Sequence, residues 1–510
     1  MPDRFDLQRA AVHPRDALAQ APNPREVRMH NRVRVPRQAP GTALRRSWSL
    51  RAHAGWAVVL ALSACTGTPS TSERAARSDL SQVSQRYRPG DAQPALPALT
   101  SASPLSEYMQ FALLNAPRVE AAYFDWVAAV ERITPARSLP DPRLTFEADI
   151  TNTIQSLMPG LMIDLPAAGK LRAAGEAQAA ESRAAYYGFE REILWTALAV
   201  KTAYYRLHFL EETIRVQHET LRLLRDLEDL ARQQHAAGRV TLQDVLRAQI
   251  GRAQVETRIE SLEDSRTALV AELKSALGLG PLDAAPPIPS TFSSSEGEPR
   301  PDELLTTALV RNPDLRAMEE DVLRAEALLG LARKSGVPDF SFGLEVDLKS
   351  DPTLLRPSAA MTVPIWRDKI AAEIAGAQAS KRAAQARLTA EQVRIAADLT
   401  AMLFVYREAV RNEALLRDAL VPKARQSLDA ARAGYVNGRA SFLDVIDAQR
   451  TLLDFELTGV EARTQRELAL ASLSLTIAGV PPSGAPILER GAGRSADGSA
   501  TSTPQEKTHP

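Results

Sequence analysis

The feature that most constrains this chain is a twelve-residue segment that occurs twice, 200 residues apart. The first copy, GRVTLQDVLRAQ, begins at Gly238, and the second, GRASFLDVIDAQ, begins at Gly438. Six of the twelve positions are identical. In each copy a glycine follows one long helical pattern and Thr241 or Ser441 precedes the next, which is the order of a helix C-cap and an N-cap. The chain is therefore predicted to form two helical hairpins with equivalent tips.

The repetition extends well beyond these tips. The segment 112–117 (ALLNAP) corresponds to 308–313 (ALVRNP), and each opens a further helical pattern. These patterns run to Leu139 and Val337, where a proline follows and disfavours helix at the preceding residue. A duplicated sequence is best interpreted as two copies of one structural unit.

After each of these prolines the hydrophobic pattern changes to a period of two. Residues 144–150 and 340–348 alternate apolar and polar side chains, and 161–165 and 359–363 supply weaker return strands. Each repeat therefore contains one β-hairpin. The alternation fits either a strand packed on a soluble core or a membrane strand that is apolar toward lipid and polar toward a lumen. Four strands do not close a barrel, whereas three copies of the chain would supply twelve.

The helical patterns that follow the hairpins are very long. They cover 167–237 and 365–434, with Pro422 as the only internal proline. At about 1.5 Å per residue, roughly 65–70 residues extend about 100 Å. The return segments 242–277 and 442–477 carry leucine and isoleucine at coiled-coil spacings. Helices of this length exceed a compact domain and are close to the depth of a bacterial periplasm.

The N-terminal region predicts export. Residues 56–65 form an apolar run that follows several arginines and is shorter than the roughly 20 residues of a membrane span, which is typical of a signal peptide. Leu62-Ser63-Ala64-Cys65 resembles a bacterial lipobox, in which the cysteine becomes the lipidated first residue. The alternative is an ordinary signal peptide with a coincidental cysteine.

Composition excludes several classes of function. The 62 basic and 62 acidic residues give zero net charge, so no basic surface indicates a nucleic-acid partner. The single cysteine excludes an intrachain disulfide and a cysteine metal cluster. The seven histidines lack metal-ligand spacing, and no nucleophile–base pair or phosphate loop is present. We therefore expect no enzyme activity, no cofactor and no bound metal.

The predicted organisation is a duplicated helical unit with flanking segments. It consists of a signal peptide with an upstream extension at 1–64, a lipidated flexible tether at 65–104, a first repeat at 105–280 with a hairpin at 142–165 and a tip near 238, a linker at 281–301, a second repeat at 302–481 with a hairpin at 339–364 and a tip near 438, and a disordered tail at 482–510.

The duplicated unit, the paired tip signatures and the lipobox together resemble the TolC family of outer-membrane factors, over about 105–481. The resemblance implies a mostly α fold with a small β part. In a homotrimer, four strands per subunit complete a twelve-stranded barrel in outer-membrane lipid, and the duplicated long-helix hairpins form an α-barrel in the periplasm.

The resemblance also implies a passive duct of a tripartite efflux pump or of type I protein secretion. A periplasmic adaptor joins the duct to an inner-membrane transporter. The strings 139–142 (LPDP) and 165–170 (LPAAGK) resemble members that accompany heavy-metal transporters of the RND class. This favours metal cations over drugs as cargo. The competing class is a coiled-coil envelope lipoprotein without a pore, but such a rod has no use for two equivalent hairpins.

Site residues carried over from the family lie at the tips. The resemblance implies that the periplasmic aperture closes near Asp444, Asp447 and Tyr435, with Asp244 as the partner in the first tip. The resemblance also implies a clamp of side chains centred on this tyrosine. Ala440 stands where that clamp has an arginine, with Arg439 next to it. The expected adaptor-docking residues are the two Gly-Arg pairs Gly238, Arg239, Gly438 and Arg439.

Physical alternatives exist for each aperture residue. Three Asp447 carboxylates on a threefold axis would attract cations. Arg247 occupies the equivalent position in the first repeat, so an alternating ring of Arg247 and Asp447 is also consistent with the sequence. Asp244 and Asp444 stand three residues after their N-caps and would serve equally well in capping boxes.

Four carboxylates fall on the polar side of the predicted strands. They would make a barrel lumen acidic and favour cationic cargo, although a solvated strand face explains them equally well. These residues are Glu147, Asp149, Glu345 and Asp347.

The predicted lipobox leads to a direct test. Replacement of Cys65 by Ala should abolish labelling of the protein with a palmitate analogue, because the thiol is the acyl acceptor. Labelling that persists in the variant would contradict lipidation at this residue.

Overall fold

A computed structural model describes residues 69–87, 95–150, 154–290, 292 and 301–477. The chain divides into two units, Met1–Cys65 and Thr66–Pro510, and every described residue belongs to the second. The predicted signal peptide, Cys65 and the tail at 482–510 lie outside the described residues.

The described residues form long helices and one small sheet. In chain order the helices are α1 Thr71–Tyr87, α2 Leu105–Asn115, α3 Pro117–Glu131, α4 Ile133–Arg137, α5 Lys170–Ala236, α6 Leu242–Ala276, α7 Pro301–Arg311, α8 Pro313–Ala332, α9 Arg367–Leu415, α10 Val421–Val436 and α11 Phe442–Ile477. The strands are β1 Arg143–Ile150, β2 Ile154–Leu165, β3 Phe340–Asp347 and β4 Leu354–Met361. A π-helical turn, Leu416–Leu420, joins α9 to α10.

The helical pattern predicted to start each repeat is divided in two by a proline. Pro117 and Pro313 occupy the first position of α3 and α8, where the missing N–H has no helical partner to lose. Asn115, two residues before Pro117, and Asn312, directly before Pro313, each bind the end of their own repeat. Asn115 Nδ2 donates to the Leu277 carbonyl at 3.0 Å, and Asn312 Nδ2 donates to the Thr476 carbonyl at 2.9 Å. The start and the end of each repeat are thus held together in the same way.

Helix α5 runs for 67 residues, which corresponds to about 100 Å. It packs along α6 and α8, while α9 packs along α8 and α11. Gly238 and Gly438 both have φ of 70°, the left-handed conformation predicted for the two tips. None of the helices in the described part of the chain combines the length and apolar character needed to cross a membrane.

The four strands form one antiparallel sheet in the order β1-β2-β3-β4, so β2 and β3 join the hairpins of the two repeats. Directly opposed residues lie on the same face of such a sheet. The register pairs Leu144 with Leu161 and Leu161 with Leu344, and the whole of this face is apolar. Its side chains are exposed, with Phe146 68% and Ile150 70% accessible. The sheet therefore presents an uncovered apolar face opposite a polar one.

The sheet is tied to the long helices at its base. Asp339, just before β3, accepts hydrogen bonds from the Ala167 backbone N–H at 2.7 Å and from Lys170 Nζ at 2.8 Å. Gly169, at the start of α5, has φ of 83°, and a Cβ there would lie 2.9 Å from Lys334 Nζ. The hydrogen bonds of Asp339 thus join the first residues of α5 to β3 of the other repeat.

The predicted flexible tether at 65–104 is wrong for residues 71–87, which form α1. Although the segment is rich in serine and arginine, Ala76, Leu80, Val83 and Tyr87 recur at helical spacing and pack against the core that contains Trp126. Tyr87 is 2% exposed. A narrow apolar stripe is sufficient here because the surrounding helices already provide a hydrophobic surface.

Residues 95–104 are also held by specific contacts. Tyr108 donates through its hydroxyl to the Thr100 and Pro287 carbonyls, both at 3.0 Å. Ser290 donates through its backbone N–H to the Ser101 carbonyl at 2.8 Å. The segment before α2 and the connector between the repeats therefore bind each other.

Glu73 anchors α1. Its buried carboxylate accepts hydrogen bonds from Arg137, from Thr134 at 2.8 Å and from Arg77 at 3.3 Å. Burial by itself would raise the pKa of Glu73, but the hydrogen bonds from Arg137, Thr134 and Arg77 outweigh it and hold the pKa below its usual value. The charged carboxylate therefore stabilises the fold at neutral pH.

We expect Glu73→Gln to lower the free energy of unfolding by about 3 kcal/mol, because it removes the charged partner of the largely buried Arg137 guanidinium. The matched control is Glu131→Gln, which removes an exposed partner of the same Arg77 and should cost less than about 1 kcal/mol. Denaturant unfolding of the detergent-solubilised protein measures both.

The effect of Glu73 should depend on pH. Because its folded-state pKa is depressed, its contribution is present above the unfolded pKa and is lost as the pH falls through the folded pKa. Equal losses in the two variants at neutral pH would contradict the anchoring role.

Candidate functional site

The first tip is closed by backbone hydrogen bonds and by Asp244. The N–H groups of Gly238 and Arg239 donate to the His235 and Gln234 carbonyls, both at 2.9 Å. Asp244 Oδ2 accepts from the Thr241 backbone N–H at 3.3 Å and from the Thr241 hydroxyl at 3.2 Å. Asp244 therefore occupies the capping position that the sequence offered as the alternative to an aperture role.

The second tip repeats this arrangement, with shorter hydrogen bonds to its aspartate. Asp444 Oδ2 accepts from the Ser441 backbone N–H at 2.7 Å and from the Ser441 hydroxyl at 2.8 Å. The side-chain hydrogen bond and then the backbone hydrogen bond from Ser441 hold the pKa of Asp444 below its usual value. The charged form of Asp444 is thus the form that caps α11.

Ala440, which stands where the resemblance implies an arginine, lies close to Gly434 of α10. Its backbone N–H donates to the Gly434 carbonyl at 3.2 Å, and a Cβ at Gly434 would lie 2.9 Å from the Ala440 Cβ. The two residues approach closely because neither has a long side chain. Arg439 lies next to them on the exposed end of the tip, as Arg239 does on the first tip.

Tyr435 lies inside the tip region, between the two hairpins. It is 5% exposed, its ring centroid is 5.6 Å from that of Phe442, and it belongs to a core that includes Leu227 of α5. Burial raises the pKa of the Tyr435 hydroxyl, and the charge of Asp244 raises it further. Among the described residues this hydroxyl has no hydrogen-bond partner. The structure therefore brings Tyr435 toward the first tip.

Asp447 and Arg247 occupy equivalent positions and are both exposed, but they differ in their ion pairs within one chain. Arg247 lies 3.8 Å from Asp244 of its own tip. Asp447 makes no ion pair with any residue that the structure describes. A single chain leaves the Asp447 carboxylate available to a group on another molecule.

The register of the sheet places all four predicted strand carboxylates on the polar face. Asp149 accepts from the Ser156 hydroxyl at 2.8 Å. Asp347 accepts from the Lys349 backbone N–H at 3.0 Å, and its carboxylate lies 4.0 Å from Arg356. Glu345, opposite Arg356, and Glu147, opposite Met158, complete the set.

Three charged residues of this face were not identified from the sequence. Asp164 accepts from the Ser341 hydroxyl at 2.6 Å and pairs with Arg143, and Arg356 projects from β4. The face thus carries five carboxylates and two arginines, which makes it acidic but less so than predicted. Asp164 was identifiable in principle, since it occupies a polar position of the return strand.

The tip geometry separates capping from other roles. We expect Asp444→Ala and Asp244→Ala to speed amide hydrogen exchange in the first turns of α11 and α6, because each loses its cap. Asp447→Ala, three residues beyond the capping position, is the control and should leave exchange unchanged. Acidification should mimic Asp444→Ala as the pH falls through the depressed pKa of Asp444. Fast exchange in the Asp447 variant alone would reverse the assignment.

Comparison with known proteins agrees with this architecture. The sequence model of the outer membrane efflux protein family matches residues 108–279 and 304–479, one segment in each repeat. The cobalt-zinc-cadmium resistance protein CzcC of Cupriavidus metallidurans is 26% identical over 344 residues, which cover 63% of this chain and 77% of that protein.

Two solved structures share the fold. The outer membrane protein VceC of Vibrio cholerae has a TM-score of 0.63 at 20% identity, covering 74% of this chain and 97% of that chain. A membrane protein from Pseudomonas aeruginosa has a TM-score of 0.64 at 20% identity, covering 77% of this chain and 99% of that chain. With the family match extending over both repeats, this chain belongs to the outer membrane efflux protein family.

Proposed function

We propose that three copies of this chain form a passive conduit through the outer membrane, which exports metal cations as the outer component of a tripartite pump. The observation that carries the proposal is the sheet, with one apolar exposed face, one acidic face and two free edges. The energy for transport comes from the inner-membrane partner, and the chain itself performs no catalysis.

The open edges require further copies of the chain. In the order β1-β2-β3-β4, the outer edges of β1 and β4 have no partner strand among the described residues. Unpaired backbone groups are costly in lipid, so only a closed ring of strands can span the membrane. Pairing of β4 with β1 of the next copy closes such a ring, and three copies bring together twelve strands.

The length of β2, the longest strand, fits a membrane location. The 12 residues of β2 extend about 40 Å at roughly 3.3 Å per residue. With a tilt of about 40°, this spans roughly the 30 Å hydrocarbon core of a bilayer. The apolar face, which is exposed in the single chain, would then contact lipid.

The polar face supports cationic cargo. Five carboxylates and two arginines per copy would give the lumen a negative potential, which raises the local concentration of cations. The similarity to a protein named for resistance to cobalt, zinc and cadmium favours divalent metal cations within this class.

The tips support docking to a partner in the periplasm. Gly238, Arg239, Gly438 and Arg439 are exposed at the ends of the hairpins. We propose that they bind a periplasmic adaptor that connects the conduit to an RND transporter, and that Cys65 carries a lipid anchor. Asp447 faces the aperture in this assembly, where Arg247 is available as its counter-charge.

The proposal is tested by conductance in planar bilayers. We expect the purified protein to form channels that select cations over anions, with more frequent opening in the Asp447→Ala variant. The double variant Glu147→Gln, Glu345→Gln should lower the cation-to-anion permeability ratio by at least about twofold, because it removes two of the five carboxylates. Glu131→Gln, on α3 and outside the sheet, is the control.

Two results would contradict the proposal. Failure to form channels, with Asp447 intact or replaced by Ala, would exclude the conduit. A permeability ratio that does not respond to the double variant would exclude the polar sheet face as the lining of the lumen.

A further inference from the structure

The helices that follow the two β-hairpins, α5 and α9, have the same pattern of buried residues in the parts farther from the tips, called here their upper parts. Equivalent residues there differ by 199 in residue number. Five buried positions of α5 recur as five buried positions of α9. They are Thr196, Val200, Tyr204, Leu207 and Leu210 in α5, and Ile395, Leu399, Leu403, Tyr406 and Ala409 in α9. The upper parts of the two repeats therefore align with 199 residues between them.

Near the tips the offset is 200. Leu224 and Glu228 of α5 are buried, and so are Ala424 and Leu428 of α10. The tip glycines Gly238 and Gly438 have the same spacing. The second repeat thus contains one additional residue between Ala409 and Ala424.

The π-helical turn Leu416–Leu420 lies within this interval. Its hydrogen bond from the Val421 N–H to the Leu416 carbonyl spans five residues, where an α-helix spans four. Pro422 follows directly and has no N–H to donate to the Asp418 carbonyl. The additional residue is therefore accommodated where the regular hydrogen-bond ladder is already interrupted.

The turn maintains the correct face of α10. Each residue advances an α-helix by about 100°, so one unabsorbed residue would rotate the tip by this amount. Lys423 and Ser427 would then replace Ala424 and Leu428 in the core of the tip. Both of these residues are exposed in the structure.

The turn is also poorly supported by its surroundings. Arg417 and Asp418 are largely exposed and pair with each other at 2.8 Å, and only Leu416 of the turn is buried. Few buried contacts and an interrupted ladder are properties of segments that open locally. Helix α5, by contrast, is continuous over all its 67 residues.

We propose that the turn Leu416–Leu420 is a mechanical joint. It absorbs the additional residue, and it lets the lower part of the second hairpin, which carries Asp444 and Asp447, change its angle to α9 while the first hairpin remains rigid. The regulatory part of this inference rests on the proposed conduit, because it assigns the movement to the aperture. The joint itself is a property of the chain.

Two single-residue deletions distinguish the joint from an incidental irregularity. Both are made in a Pro422→Arg background, because a proline inside a continuous helix would itself interrupt the hydrogen-bond ladder. Deletion of Asp418 then removes the additional residue within the turn, so α9 and α10 become one regular helix and Leu428 stays buried. Deletion of Asp429, an exposed aspartate of the same helix, is the matched control, because it shifts Lys423 and Ser427 into the core. Thermal unfolding in detergent should show wild-type stability or higher for the first and a clear loss for the second.

Amide hydrogen exchange tests the mobility without reference to conduction. In the wild type, the amides of residues 417–421 should exchange at least about tenfold faster than those of 217–221 in α5, and deletion of Asp418 in the Pro422→Arg background should remove this difference. The variant Pro422→Arg, with the residue type found at position 222, retains the additional residue and should keep fast exchange. Slow exchange in this variant would show that the proline alone creates the turn and would overturn the inference.

Conductance recordings then test the link to the aperture. Pores lacking Asp418 should open at least about fivefold less often than wild-type pores, with unchanged conductance once open. Wild-type opening frequency in this variant, or equal damage from the two deletions, would contradict the joint. Absence of any wild-type conductance would instead contradict the conduit, while the exchange result would still decide whether the joint exists.

Discussion

The structure depends on the fact that a four-stranded sheet with one apolar face is not complete by itself. In water, the exposed leucine, isoleucine and phenylalanine side chains of that face lack a covering layer. In lipid, the backbone groups on the outer edges of β1 and β4 would lack partners among the described residues. In the conduit proposed above, the sheet continues through other copies until it closes, which satisfies both requirements. The rest of the chain then has to hold each sheet at the same height and angle.

The base of the sheet performs that task. Asp339 binds the first residues of α5 from the other repeat, and β2 pairs directly with β3. The two β-hairpins therefore behave as one body attached to the long helices α5 and α9. At the opposite end of the long helices, Asp244 and Asp444 cap the tip of each helical hairpin through equivalent hydrogen bonds. Errors in length between these two ends would misalign the tips, and the π-helical turn compensates for one such difference.

Those parts of the fold that depend on local pattern could be predicted from the sequence. Alternation at 144–150 and 340–348 predicts not only strands but their faces, because antiparallel partners keep the same parity along the sheet. The tip caps depend on residues at most a few positions apart, such as Ser441 and Asp444. Helix α1 could not be identified in this way, since its stripe from Ala76 to Tyr87 becomes stable only against a surface formed by distant helices.

The candidate site was predictable to a smaller extent. Arg356 could not be assigned to the polar face from the sequence because it belongs to a weakly alternating strand, although its register position puts it opposite Glu345. The burial of Tyr435 depends on the approach of the two hairpins, which no local pattern encodes. In the proposed trimer the surroundings of Asp447 would include other copies of the chain, so neither one sequence nor one chain is sufficient to define them.

Each helical hairpin has an ion pair at the equivalent position near its tip. Arg225 lies 3.1 Å from Glu256 in the first, and Arg425 lies 2.7 Å from Glu456 in the second. Other positions have diverged, as when Glu228, which lies 3.3 Å from Arg252, is replaced by Leu428 in the second hairpin. A ring of six identical hairpins would have to move all of its members alike. Two different helical hairpins alternating around a ring lower its symmetry from sixfold to threefold. The second hairpin can then move while the first keeps its position.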